Sequence, residues 1–340
     1  MKRTCATGRA FHLLHFVLAA VLVLAFQGMV DAANEVSRQV SFSSPEEAAQ
    51  ALFAALKNSD EARLAEILGP GSESLISSGD VVADRAGRAE LVKLYEAKNH
   101  LDMVQGNKAV LLVGAQDYPL PIPVVKQGES WIFDTNAGRK EILNRRMGKN
   151  ELEAIEILDA YVEAQREYSA RAHAPGRPSE YAQQLLSTPG KKDGLYWEAK
   201  EGEEESPLGP LVAQAAREGY MKPEGKWPVP FHGYYFRILK GQGRNAPGGA
   251  FDYVVNGRMV RGFGMVAYPA RYGASGIMTF IVNQDGVVYQ KDLGQDTPKV
   301  APGMQLFDPD KSWSEVGGDG ESLPTVSDLA LPQAGSAEGR

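Results

Sequence analysis

Apolar residues recur along this chain first at helical spacing and then, beyond about residue 230, in alternation. "SSPEEAAQALFAALKNSD" opens with a helix start: Ser44 as N-cap, Pro45 at the first helical position and Glu47 three residues after the cap. Ala48, Leu52, Ala55 and Leu56 then mark one face. A shorter helix carries Leu64, Ile67 and Leu68 and stops at "GPG", Gly69 to Gly71. "DRAGRAELVKLYEAKNH" predicts a third, with Leu91, Leu94 and Tyr95 as its stripe and His100 at its end. Strand-like runs follow in "KAVLLVG", "LPIPVVKQG" and "SWIFDT", the last two joined by a "KQGES" turn. A long helix comes next, "GKNELEAIEILDAYVEAQREYSARA". Leu152, Ile155, Leu158, Val162, Gln165 and Tyr168 lie on its inner face, with Glu153, Glu156, Glu163 and Arg166 opposite.

After a polar, glycine-punctuated stretch (187–206) and one more short helix in "SPLGPLVAQAAREGY", the pattern changes. "HGYYFRILK", "FDYVVNG", "RMVRGFGMVAYPA" and "IMTFIVNQDGVVYQKDLG" predict a three- to five-stranded antiparallel sheet, with "NQDG" as a hairpin turn. The fold class is α+β: N-terminal helices with a small curved antiparallel sheet, a long central helix and a C-terminal antiparallel β domain. The expected divisions are residues 42–186 and 187–316, with a disordered tail at 317–340, rich in Gly, Ser, Pro and acidic residues.

The first 33 residues predict a secretory signal peptide. Lys2, Arg3 and Arg9 precede the apolar run Phe16 to Phe26, and "VDAANE" offers cleavage after Ala32 or Ala33. A retained anchor is the alternative, since Phe11 to Val30 approaches spanning length. The single cysteine, Cys5, lies within this segment, so the remainder has neither disulfides nor thiol chemistry. Removing residues 1–33 takes away three basic residues and Asp31, leaving 33 basic against 42 acidic, a net charge of −9. Such a surface repels nucleic acid and anionic headgroups. The expected location is therefore periplasmic or extracellular, without stable membrane insertion once the signal is removed.

Candidate chemistry is sparse. "GQGRNAPGGAFDY" has the glycines of a phosphate loop, but neither the Walker spacing nor a following helix, and reads as a hairpin connection. His232, Tyr234 and Phe236 would share one face of a strand and Tyr235 and Arg237 the other, which suits either core on one face with amphipathic surface on the other or an aromatic binding platform. Arg145, Arg146 and Lys149 form a basic cluster able to grip an anion, or to pair with Glu141, Glu151 and Glu153. No histidine spacing suits a metal and no cofactor motif is present, so neither is expected. The candidate ligand-binding residues are His232, Tyr235, Arg237, Asp252, Arg145 and Arg146. No nucleophile motif is present; paired carboxylates such as Asp134 with Glu141 or Asp252 with Asp285 are the remaining acid–base candidates.

Two resemblances add to this. "SPEEAAQALFAALKNSDEARLAEILGP" and "KQGESWIFDT" resemble the NTF2-like or SnoaL-like cone fold over residues 42–136, which implies a pocket inside the cone and, often, a binding or assembly role. From Phe42 to about Val316 the chain is similar to the exported bacterial family known as domain of unknown function 2950. Stretches that carry this include "FSSPEEAAQALFAAL", "FDTNAGRKEILNRRMGKNELEAIEILDAYVEAQREY", "FHGYYFRILKGQGRNAPGGAFDYVVNGRMVRGFGMVAYPA" and "FDPDKSW". That resemblance implies an envelope location and brings no activity or site residues with it. Together the readings favour a non-enzymatic binding or assembly module acting on an envelope protein or small molecule. The alternative is a periplasmic hydrolase of cell-wall or sugar substrates, with His232, Asp252 and Arg237 around the glycine-rich loop. A carboxylate and His232 facing one pocket at hydrogen-bond distance would favour the enzyme.

Overall fold

A computed structural model describes residues 39–171, 179–200, 202–220 and 229–317. The expected signal segment and all but Gly317 of the expected tail lie outside these residues.

Helix α1, Pro45–Asn58, starts where the capping pattern places it. The Ser44 hydroxyl accepts from the Glu47 amide, and the Glu47 carboxylate accepts from the Ser43 amide. It buries Ala48, Ala49, Leu52, Phe53 and Ala55. Helix α2, Glu61–Leu68, is capped by Asp60 and buries Leu64, Ile67 and Leu68. A single turn, α3 at Glu73–Ile76, precedes α4 at Val81–Ala97, whose N-cap is Asp80.

The third helix ends at Ala97, before the expected end at His100. Residues Asn99–Val104 form strand β1 against β2, Lys108–Val113, in register Asn99 to Val113, so Asn99 and His100 belong to the sheet. Ladder hydrogen bonds to β2 override the helical pattern here. The rest of this sheet is β3 (Tyr118–Pro119), β4 (Val124–Gln127) and β5 (Ser130–Phe133), in order β1-β2-β4-β5 with β3 also on β2, all antiparallel. Alternate residues Ala109, Leu111 and Val113 of β2 point inward, as a period of two demands. The first core runs from Phe42 to Phe133.

Helix α5, Thr135–Arg171, has 37 residues and starts well before the expected Gly148. At a rise of 1.5 Å per residue it is about 55 Å long. Ala154, Leu158, Tyr161 and Val162, in its second half, belong to a second core together with Phe263, Phe280 and other residues of the C-terminal part. Glu156, Glu163 and Arg166 are exposed as expected, but Glu153 turns inward.

Helix α6, Gly209–Arg217, leads to strands β6 (Tyr234–Leu239), β7 (Gly241–Gln242), β8 (Phe251–Asp252), β9 (Val254–Val255), β10 (Arg258–Met259), β11 (Gly264–Pro269), β12 (Met278–Asn283) and β13 (Tyr289–Asp292). After α7, Thr297–Val300, come β14 (Leu306–Phe307) and β15 (Ser314–Glu315). The main sheet is five-stranded and antiparallel, in order β15-β13-β12-β11-β6. Its central strand residues are buried on both faces. Met265, Ala267, Phe280 and Val282 enter the second core, while Val266, Tyr268 and Ile281 join a third with Phe307. The glycine-rich stretch is a hairpin connection: β7 pairs antiparallel with β8, and β14 adds in parallel to β7.

Two helical glycines give opposite expectations. A Cβ on Gly138, in α5, would lie 2.4 Å from the Pro121 carbonyl oxygen, whereas one on Gly87, in α4, meets nothing within 4 Å. Alanine favours a helix over glycine by about 1 kcal/mol, and overpacking against backbone costs about 1–3 kcal/mol. Gly87→Ala is expected to raise the urea midpoint and Gly138→Ala to lower it; equal shifts of one sign would contradict this packing.

Candidate functional site

Between the two main cores lies a cleft of about 850 Å³, within the range of small-molecule sites. One wall is aliphatic: Leu52 and Leu56 of α1, Leu64 and Leu68 of α2, and Leu120 and Ile122 beside the first sheet. The other is polar and comes largely from α5. Arg145, Arg146, Lys149, Asn150 and Glu153 recur every three to four residues and therefore share a side of that helix. Glu218, Tyr220 and His232 close this wall from the C-terminal part.

His232 sits in a two-residue turn rather than on the strand expected to carry it. Its φ is +49° and that of Gly233 is +76°. The Phe231 and Tyr234 backbones exchange hydrogen bonds at 2.8 and 3.1 Å, the arrangement of a type I′ hairpin turn. His232 tolerates left-handed backbone better than a β-branched residue would. At Gly233 a Cβ would fall 2.4 Å from the Asn150 amide nitrogen, so only glycine fits both the φ and the space.

The imidazole is held at both nitrogens. Nδ1 lies 2.9 Å from Glu153 Oε2, and Nε2 lies 3.0 Å from Glu218 Oε2. Glu218 follows the last turn of α6, where the helix dipole disfavours a negative charge, and an imidazolium offsets that cost. Burial pushes the His232 pKa down, but Glu153 and then Glu218 push it up more strongly, Lys149 opposing slightly, and the net direction is upward.

A second network anchors the turn. Asp80 is 1% exposed. Its Oδ1 accepts from the Val82 and Ala83 amides at 3.1 and 3.0 Å, capping α4. Its Oδ2 accepts from the Tyr220 hydroxyl at 2.9 Å and the Gly233 amide at 2.8 Å. Burial first, and then the Asp80 charge, push the Tyr220 pKa far upward, so this hydroxyl stays a donor.

At the other end of the polar wall, Arg146 Nη1 and Nη2 donate to the Ser74 and Leu75 carbonyls, both at 2.7 Å, and Arg88 Nη1 donates to the Ile76 carbonyl at 3.0 Å. Two cations are thus hung on three consecutive carbonyls at the end of α3. Burial lowers the Arg146 pKa; Asp84 counters that, and the neighbouring Arg88 charge adds to it.

Residues 39–316 match the family described as protein of unknown function, DUF2950. The chain belongs to this family. No curated protein matches it, and no solved structure does.

The match spans every residue of the cleft in this DUF2950 chain. Of the candidates read from the sequence, His232, Arg145 and Arg146 converge on the cleft. Arg145 pairs with Glu141 at 2.6 Å and donates to the Tyr118 hydroxyl. Lys149 is 3.8 Å from Glu153, while Glu151 instead accepts from the Ile277 and Met278 amides. Tyr235, Arg237 and Asp252 are not part of the cleft. Tyr235 packs beside Tyr268 at the third core, and Arg237 donates to the Ala301 and Met304 carbonyls. Asp252 is exposed on β8.

Asp80, Arg88, Glu153, Glu218 and Tyr220 of this DUF2950 protein were missed as site residues. Asp80 carried a readable signal, since an Asp before an apolar helical stretch is an N-cap pattern. The partners of Glu218 and Tyr220 are set by tertiary contacts alone. Among the described residues, no three His, Cys, Asp or Glu side chains are placed to hold a metal, and none of the helices is long and apolar enough to cross a membrane.

Two outcomes follow. A folded-state pKa raised above the ordinary value of about 6.5 means that His232 contributes stability fully below that pH and loses it as pH rises through the folded value. The groups facing it are Glu153 and Lys149 of α5, Glu218 after α6, Tyr220 and, through the turn, Asp80. Urea midpoints between pH 6 and 9 should fall for the wild type, and the slope should flatten in His232→Gln; an unchanged slope would refute the assignment. Asp80→Ala removes a cap worth about 1 kcal/mol and leaves buried donors unmet at about 1–3 kcal/mol each. It should cost several times more stability than Asp60→Ala, a cap with the single Arg63 amide contact.

Proposed function

We propose that this protein is a non-enzymatic binding module of the bacterial envelope and that its ligand occupies the cleft. The observation that carries the reading is the cleft itself: about 850 Å³, with an aliphatic wall facing a wall of charged groups. Pockets of this size and mixed lining are how small molecules are enclosed and oriented. The envelope location rests on the basic, apolar and small-residue sequence of the first 33 residues.

One observation favours the second reading, a hydrolase of cell-wall or sugar substrates. His232 and two carboxylates do face one cleft at hydrogen-bond distance. Both ring nitrogens are nevertheless committed to carboxylates, so neither can take a proton from a nucleophile until one partner leaves. The imidazole also fills the space between Glu153 and Glu218, where glycoside cleavage would need the scissile oxygen and a water.

Thermal unfolding of the purified protein against muropeptides, sugars, amino acids, fatty acids and divalent metals tests the binding reading. A ligand at a hundredfold excess over its Kd stabilises by about 2.7 kcal/mol. One class should raise Tm, and Leu91→Trp, which intrudes into the cleft without removing a hydrogen bond, should reduce or abolish the shift. No shift from any class, or a shift that persists undiminished in Leu91→Trp, would overturn the reading. Turnover of a fluorogenic glycoside that is lost in His232→Ala would install the hydrolase in its place.

A further inference from the structure

Resting on the cleft as a binding site, we infer its ligand class: a single-chain amphiphile with an aliphatic body and a carboxylate head, the head seated against Arg88 and Arg146. The aliphatic wall converges on this end. Leu64 and Leu68 of α2 and Leu75 and Ile76 of α3 line the cleft together with the two arginines. A long hydrocarbon removes this surface from water at about 25 cal/mol per Å².

The head is specified by what the arginines lack. Arg146 spends both terminal nitrogens on the Ser74 and Leu75 carbonyls, and Arg88 spends Nη1 on the Ile76 carbonyl. These acceptors are neutral, and the carboxylate whose charge acts on Arg146 is Asp84. Arg88 reaches one carboxylate, Glu61, at 3.3 Å. Its Nε is buried and has no acceptor among the described residues, although the side chain is only 11% exposed.

The nearby acids also have other partners. Glu153 and Glu218 hold His232, and Asp84 accepts from the Ser78 amide at 2.9 Å. Arginine has five donors and no acceptor, so the group that completes this end accepts hydrogen bonds, and a negative charge on it strengthens them. A planar carboxylate meets both demands. A cationic or purely donating head meets neither.

Calorimetric titration of the purified protein with dodecanoate, 1-dodecanol, dodecyltrimethylammonium and acetate, each below any micelle concentration, tests this. Dodecanoate should bind one to one, at least about tenfold tighter than the alcohol. The ammonium and acetate should give no measurable binding. Added salt should weaken dodecanoate and leave the alcohol unchanged. Arg88→Gln should cost dodecanoate about tenfold while sparing the alcohol, and Leu91→Trp should weaken or abolish both.

Leu91→Trp keeps the test decisive if Arg88→Gln fails to fold. Equal affinity for dodecanoate and the alcohol, tighter binding of the ammonium, or acetate matching dodecanoate would each overturn the ligand class. If dodecanoate fails while another class in the melting panel is blocked by Leu91→Trp, the ligand class falls and the binding reading stands. If Leu91→Trp blocks nothing in either experiment, the binding reading falls with it.

Discussion

A buried carboxylate must find a hydrogen-bond donor for every acceptor position it exposes, or it destabilises whatever encloses it. Asp80 meets that demand by joining parts of the chain that are far apart in sequence. One oxygen terminates α4; the other takes the Tyr220 hydroxyl and the Gly233 amide, the latter 153 residues away. The His232 turn is fixed by this carboxylate and by the close approach of Asn150. The imidazole can therefore reach Glu153 and Glu218 without further adjustment. The C-terminal edge of the cleft descends from that arrangement.

Helix α5 supplies the complementary constraint. Its early residues follow the first sheet, with Gly138 pressed against the Pro121 carbonyl, and its later residues are core for the second sheet. A single rigid helix sets the spacing of the two cores, and the cleft is the gap it leaves between them. Because Arg145, Arg146, Lys149 and Glu153 project from one side of that helix, their separations are set by helical geometry rather than by loop conformation. Cation and carboxylate positions built on a helix hold their places better than positions on loops.

Much of the fold was legible in local patterns. The Ser44 cap, the apolar run of β2 and the Asp285–Gly286 turn each signal their structure within a few residues. Two of the errors share one cause. Asn99 and His100 continue a helical pattern but pair with Val113 and Leu112, and "HGYYF" alternates like a strand while His232 and Gly233 form a turn. In both places partners distant in sequence decide between two locally acceptable conformations. The site was less legible for the same reason. Arg145 and Arg146 were visible as a cluster, but nothing near them in the sequence shows that Arg146 meets Ser74 or that His232 meets Glu218. Tyr235 and Arg237, conspicuous on their strand, serve the third core and the Ala301–Met304 turn instead.

The first core is a contiguous run of chain, from Phe42 to Phe133. Its contacts close over modest loops, so it can condense before the residues of the second core have emerged from synthesis. The Asp80 bond to Gly233 spans a far longer loop and forms only after the turn that carries it. During synthesis the first core can therefore form ahead of the second. During that interval the leucines of the cleft and the unmet Asp80 oxygen face solvent. This is the stage at which nascent chains are most open to aggregation or to capture by a chaperone.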